Sequence, residues 1–196
     1  YDWSTRPKFQ LNRIHVISKD GAGVKQVVDH GLKEFKRRTG IEWKKNPKVI
    51  FCIVCGGNNI AVHNKKRPDG GKSKKKTHKV PHPGDAKWTA ALKEATWVKE
   101  VAMEIPHLAY CNPGSPANWH IDASTCWEPD TAERFEQLGI EMAAIIAESG
   151  AFTCTGEGVY ELFKTKHELG DPYHSFNTNG NKAAFSLLCA QYLSLI

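Results

Sequence analysis

Short apolar runs that end in glycine or asparagine alternate along this chain with longer stretches whose apolar residues recur at helical spacing. That alternation constrains the fold more than any single motif does. Ile14-His15-Val16-Ile17 is a β-branched run, followed by the breaker Lys19-Asp20-Gly21-Ala22-Gly23. Val24, Val27, Val28, Leu32 and Phe35 then repeat every third or fourth residue, with Lys33, Lys36, Arg37 and Arg38 towards the end and Gly40 beyond them. A helix with a basic last turn and a glycine stop reads this way. Val49 to Cys55 is wholly apolar and predicts a strand buried on both faces, ending in Gly56-Gly57-Asn58-Asn59.

The pattern then repeats. A helix is predicted from about Asp85 to Glu104, carrying Trp88, Leu92, Trp97, Val98 and Val101, and a strand from His107 to Cys111, closed by Asn112-Pro113-Gly114. A long helix opens at Pro129-Asp130-Thr131, carries the stripe Phe135, Leu138, Met142, Ile145 and Ile146, and stops at Gly150. Ala151-Phe152-Thr153-Cys154 predicts a short fourth strand, and Ala183 to Leu195 a final helix. Strands alternating with helices imply an α/β fold with a mostly parallel sheet and helices on both faces. In such sheets the ligand sits beyond the carboxyl ends of the strands. Here those ends carry Gly21 and Gly23, residues 56–59, residues 112–114 and the segment after Cys154.

The 196 residues fit one domain, with 40% hydrophobic and 24% charged residues excluding a disordered chain. No apolar run approaches the roughly 18 residues that span a bilayer, so no membrane span is expected. The first residues have neither a basic nor an apolar leader region, so no secretory signal is visible, as is equally true of a mature chain or an excised fragment; an intracellular location, cytoplasmic or nuclear, is the expectation. Six cysteines, at 52, 55, 111, 126, 154 and 189, are too sparse for a disulfide scaffold and suit a reducing compartment. Cys52 and Cys55 look like a CxxC pair, but residues three apart in a strand face opposite sides and cannot share a metal or a disulfide. Cys111, His120 and Cys126 match no metal-ligand spacing. Neither a metal nor another cofactor is expected.

The formal net charge is +6, and its distribution matters more than its sum. Residues 64–79 read NKKRPDGGKSKKKTHK and carry a net +7, which leaves −1 for the rest of the chain. The basicity is one inserted loop on a near-neutral domain. Lys65, Lys66, Arg67, Lys72, Lys74, Lys75, Lys76 and Lys79 can neutralise phosphates without base specificity, giving nucleic acid as a candidate partner. A solvated insertion or a localisation signal is the plainer reading of such a run. No aromatic residue lies between Lys65 and Lys79 to stack on single-stranded bases.

Three weak signals could carry chemistry. Asp171 and His174, three apart before the last helix, can pair so that the carboxylate orients the imidazole as a general base. Asp171 is equally suited to start a turn before Pro172, and His174 to cap a helix. Asn58, in the turn after a buried strand, can donate to a developing oxyanion, or can simply be a turn residue. The Gly21 N–H can join the same hole, or the glycine only permits a tight turn. Trp119 and Trp127 fall on the same rim, where they suit an acyl or sugar pocket, while Trp88 and Trp97 suit the core.

The order of these signals resembles the SGNH (GDSL-type) hydrolase family over about residues 14–196. HVISKDGAGVKQVV resembles the second block of that family, with Gly21 as its glycine. FCIVCGGNN resembles the third, with Asn58 as the oxyanion asparagine. GDPYHSFNTNGNKAAFSLLCAQYL resembles the fifth, with Asp171 and His174 completing a triad. The resemblance implies a flavodoxin-like three-layer α/β/α sandwich, and hydrolysis of a small ester or acylated substrate without metal. The chain departs from the pattern in lacking the first block, whose Gly-Asp-Ser supplies the nucleophile, and in having Asn59 where an aspartate usually follows. The serine then comes from a second polypeptide carrying the missing block, or is displaced to Ser18. In a third alternative the domain is an inactive module that binds nucleic acid or another anionic partner through the basic loop.

Overall fold

The structure is a computed structural model that describes residues 15, 17, 19, 22–56, 59, 62–64, 77–112 and 130–155. Its elements in order are α1 (Val24–Thr39), β1 (Phe51–Val54), β2 (Val62–Asn64), β3 (Thr77–Lys79), α2 (Ala86–Ala102), β4 (Leu108–Asn112), α3 (Thr131–Ala147) and β5 (Phe152–Thr155). β1, β4 and β5 form a parallel sheet in that spatial order, with Phe51 opposite Leu108 and Ala109 opposite Phe152. The chain is therefore of mixed α/β class.

Both crossovers, β1 to β4 through α2 and β4 to β5 through α3, step across the sheet in the same direction. Right-handed connections must then place α2 and α3 on one face. The core agrees: Trp88, Ala91, Ala95 and Val98 of α2 and Phe135, Leu138, Met142 and Ile146 of α3 share one cluster with Ile53, Leu108 and Tyr110. Val24, Val28 and Leu32 bring α1 to the same cluster. The α3 stripe is the deepest part, with Phe135, Leu138, Met142 and Ile146 all 0% exposed. Each such side chain contributes roughly 1.5–3 kcal/mol by leaving water.

Strand pleating sorts the remaining apolar residues. Phe51, Ile53 and Cys55 face the helices, whereas Cys52 and Val54 join Ala109, Cys111 and Phe152 in a separate cluster. The two cysteines of the CxxC run thus stand on opposite faces, as period-2 geometry demands.

Several sequence expectations need correction. The strand predicted over Val49 to Cys55 is shorter, because Val49 is held in a turn by its N–H bond to the Asn46 carbonyl (3.3 Å). It is also not buried on both faces: only Ile53 of β1 is buried, and its neighbours are half-buried. β1 has one strand neighbour among the described residues, whereas β4, between two, buries Leu108, Ala109, Tyr110 and Cys111. His15 and Ile17, the two described residues of the expected first strand, lie in no strand. The expected final helix, Ala183 to Leu195, lies outside the described residues.

The basic 64–79 segment is not a plain loop. Val62–Asn64 and Thr77–Lys79 pair antiparallel, with Val62 opposite Lys79, His63 opposite His78 and Asn64 opposite Thr77. The basic run connects the strands of a hairpin, and Lys79 stands within one of them. Among the described residues, no helix is long and apolar enough to cross a membrane.

Candidate functional site

Because β1, β4 and β5 are parallel, their carboxyl ends lie along one rim of the sheet. That rim includes the end of β1. The Cys55 N–H donates to the Cys111 carbonyl (3.2 Å), prolonging the ladder by one bond. The fully buried Tyr110 hydroxyl donates to the Cys55 carbonyl (3.0 Å), which fixes the strand end to β4. The chain then turns sharply, and the Asn59 N–H donates to the Gly56 carbonyl (3.0 Å).

That turn delivers the Asn59 side chain to the start of α1. Gly23 is the residue before the helix and has no side chain with which to cap it. The first turn of α1 contains no acidic residue. Two N–H groups of this helix end, those of Val24 and Lys25, are taken up from elsewhere in the chain. Asn59 Oδ1 accepts from the Val24 N–H at 2.7 Å, and Asn59 Nδ2 donates to Glu94 Oε2 of α2 at 2.7 Å. The same Glu94 oxygen accepts from the Lys25 N–H at 3.3 Å. The Asn59 amide can adopt only one orientation here, since an N–H faces one end and a carboxylate the other. Lys25 Nζ lies 5.3 Å from the Trp97 ring centroid, a cation–π contact on the flank of the same junction.

A helix N-terminus is an ordinary place for a bound anion. At α1 the anion is internal: the Glu94 carboxylate stands at the helix start and accepts from the Lys25 N–H.

The Cys55 thiol, at the end of β1, is unsuited to replace a missing serine. Cys55 is buried, and that burial, aided by the negative charge of Glu94, pushes its thiol well above the usual range. A thiol held neutral is a poor nucleophile. At the start of α3, Arg134 is 4% exposed; its Nη2 donates to the Val80 carbonyl at 3.2 Å and its guanidinium pairs with Asp130. The hydrogen bond from Arg134 holds the Asp130 carboxyl below its ordinary value. This arrangement ties the first turn of α3 to the segment leading into α2. Trp88, buried as expected, donates from Nε1 to Glu141 Oε2 (3.1 Å) and joins the same two helices; Trp97 is half-buried against the core.

Most of the expected site residues, namely Ser18, Gly21, Asn58, Lys65, Lys66, Arg67, Lys72, Lys74, Lys75, Lys76, Asp171 and His174, lie outside the described residues, as do Trp119 and Trp127. The structure does bring together their immediate neighbours: Asn59 follows Asn58, and Gly23 lies two residues after Gly21. Glu94 escaped the sequence reading. Its signal was positional, a charge three residues after Ala91 and four before Val98, both buried, and hence on the margin of the apolar stripe of α2. Among the described residues, no group of three or more His, Cys, Asp or Glu side chains is placed to hold a metal ion. No family model, no curated protein and no solved structure matches this chain.

Proposed function

We propose that the chain is an SGNH-type hydrolase domain with a flavodoxin-like three-layer sandwich, cleaving a small ester or acylated substrate at the carboxyl rim of its sheet. The observation that carries this reading is the 2.7 Å bond from the Val24 N–H to Asn59 Oδ1. An oxyanion hole needs N–H donors from separate segments aimed at one point. The bond clasps the turn containing Asn58 to the helix that follows Gly21, the two segments the hole draws on. In this reading Asn58 and the Gly21 N–H are the donors, His174 is the general base and Asp171 orients its imidazole. The serine is supplied by a second polypeptide or by Ser18, and Cys55 is not its substitute.

The reading is tested by treating the protein, in its native assembly, with a fluorophosphonate probe. Labelling of a serine that His174→Ala abolishes is the expected result. An unlabelled native protein sinks the proposal.

The β2–β3 pairing favours a second reading. The two paired strands bracket residues 65–76 in sequence, which carry the net positive charge of an otherwise near-neutral chain. A basic run of this kind suits a polyphosphate backbone, and with it a non-catalytic module that retains nucleic acid. Deleting residues 65–76 should then abolish salt-sensitive retention of RNA or DNA; retention that survives the deletion refutes this reading.

A further inference from the structure

Glu94 is left without a task by the oxyanion chemistry, yet it contacts both Asn59 and the start of α1. Its Oε2 accepts from Asn59 Nδ2 (2.7 Å) and from the Lys25 N–H (3.3 Å). A Cβ on Gly23 would stand 2.9 Å from the same oxygen, so the helix start and the carboxylate are in close contact. Glu94 is half-buried on α2, whose flanking residues Ala91, Ala95 and Val98 are anchored in the core. The carboxylate therefore projects from a rigid element towards two segments that have no strand pairing with each other.

We infer that Glu94 is a positioning residue for the rim site, an inference that rests on the hydrolase reading. By accepting from Nδ2 it dictates which way the Asn59 amide faces. Oδ1 is then committed to the Val24 N–H, which holds Asn59, the neighbour of Asn58 in sequence, at the start of α1. Reversing the amide sets Oδ1 against the carboxylate and Nδ2 against an N–H, so both contacts become repulsive at once. The charge of Glu94 is engaged by two N–H donors and by the helix end, and it acts on the reaction only through Asn59. Misplacing a catalytic group by about 1 Å lowers rates by up to about 100-fold.

The test compares fluorophosphonate labelling rates of the wild type with Glu94→Ala, Glu94→Asp and Glu94→Gln, each checked for a native circular-dichroism spectrum. Glu94→Ala removes the acceptor and should slow labelling about 10- to 100-fold. Glu94→Asp keeps the charge but withdraws it by one methylene, and it should also be slow; it carries the test if Glu94→Ala does not fold. Glu94→Gln retains an acceptor oxygen for Nδ2 and should label within about threefold of the wild type, since it loses only the charge-assisted share of the bond. Rescue by Gln but not by Asp separates positioning from both charge and bulk. Wild-type labelling in Glu94→Ala or Glu94→Asp, or a Glu94→Gln variant as slow as Glu94→Ala, overturns the inference while leaving the hydrolase reading standing. A wild type that takes no label overturns the hydrolase reading itself, and this one with it.

Discussion

The two ends of α1 are closed in opposite ways. At the carboxyl end everything comes from the helix and the residues next to it. Gly40 adopts φ 68° and its N–H donates to the Lys36 carbonyl (2.8 Å), while Lys36, Arg37 and Arg38 place positive charge on the negative end of the helix. Glu34, one turn earlier, accepts from both arginines. At the amino end nothing is local. The caps are Asn59 and Glu94, 35 and 69 residues further along the chain from the N–H groups they satisfy. A locally closed helix end forms with the helix, whereas a remotely closed one forms only when three segments have assembled. The second kind is where a site can be built, because it brings distant residues to one point.

The sharpest way to break this contrast is Asn59→Asp. The change removes the Nδ2 donor and sets a second carboxylate against Glu94 Oε2, where the wild-type contact is 2.7 Å. We expect a loss on the order of 3 kcal/mol at pH 7, the scale of a charge-assisted hydrogen bond, read as a lower urea midpoint. A carboxylate pair shares a proton, which raises its folded-state affinity for protons, so the deficit is full at neutral pH and shrinks as the solution is acidified. Glu94→Gln in the same chain should restore much of the stability. If Asn59→Asp melts like the wild type, the clasp does not hold the helix end. The pairing also supplies a physical reason for asparagine at this position in the reading proposed above: with Glu94 opposite, aspartate is disfavoured.

The contrast also separates what was legible in the sequence from what was not. The carboxyl end of α1 could be read directly, since basic residues followed by glycine are a local signature. So could the stripe from Phe135 to Ile146, and the opposite facing of Cys52 and Cys55, because both follow from backbone periodicity alone. Asn59 was visible only as a departure from a family pattern, and Glu94 as one more charge on a helix. Their meaning lies in a meeting of three segments that no spacing rule encodes. The hairpin at 62–64 and 77–79 was hidden for a related reason. Its strands are three residues each and lie at the margins of a lysine run, so composition read as loop where cross-strand pairing decided otherwise.

Smaller effects are expected from the two glycines that bracket α1, and for different reasons. Gly23 has an ordinary φ of −73°, but a Cβ there would lie 2.9 Å from Glu94 Oε2 and 3.1 Å from Asn59 Nδ2. Gly23→Ala should cost about 1 kcal/mol in a urea titration, because the groups met are side-chain ends that can shift at the expense of the clasp. Combined with Glu94→Ala, the loss should fall short of the sum of the two single changes, because the clashing group is gone. Gly40 has open space around its Cβ position, so only its left-handed backbone resists substitution. Gly40→Ala should cost about 1 kcal/mol, and Gly40→Asn less, since asparagine tolerates that conformation. Strict additivity at Gly23, or equal losses for Ala and Asn at Gly40, would show that the two ends do not differ as described.

The smallest expected effect lies at the carboxyl end, and it tests the comparison from the other side. Glu34 accepts from Arg37 Nε (2.8 Å), Arg37 Nη2 (2.7 Å) and Arg38 Nε (2.7 Å). The hydrogen bonds from Arg37, then those from Arg38, draw its carboxyl down from 4.5 to about 2. A carboxyl depressed on folding stabilises the native state above its unfolded value, and that contribution is lost as acid is added. The deficit of Glu34→Gln should thus be constant from pH 7 to about 5, shrink as the pH falls from 4.5 towards 2, and be erased largely by 1 M salt, because both arginines face solvent. The Asn59→Asp deficit also shrinks in acid, but it should persist in 1 M salt, since its contact is part-buried and poorly screened. Salt is therefore the measurement that distinguishes the ends: a Glu34→Gln loss that survives 1 M salt at pH 7 would mean that the local end is held by more than its own exposed charges.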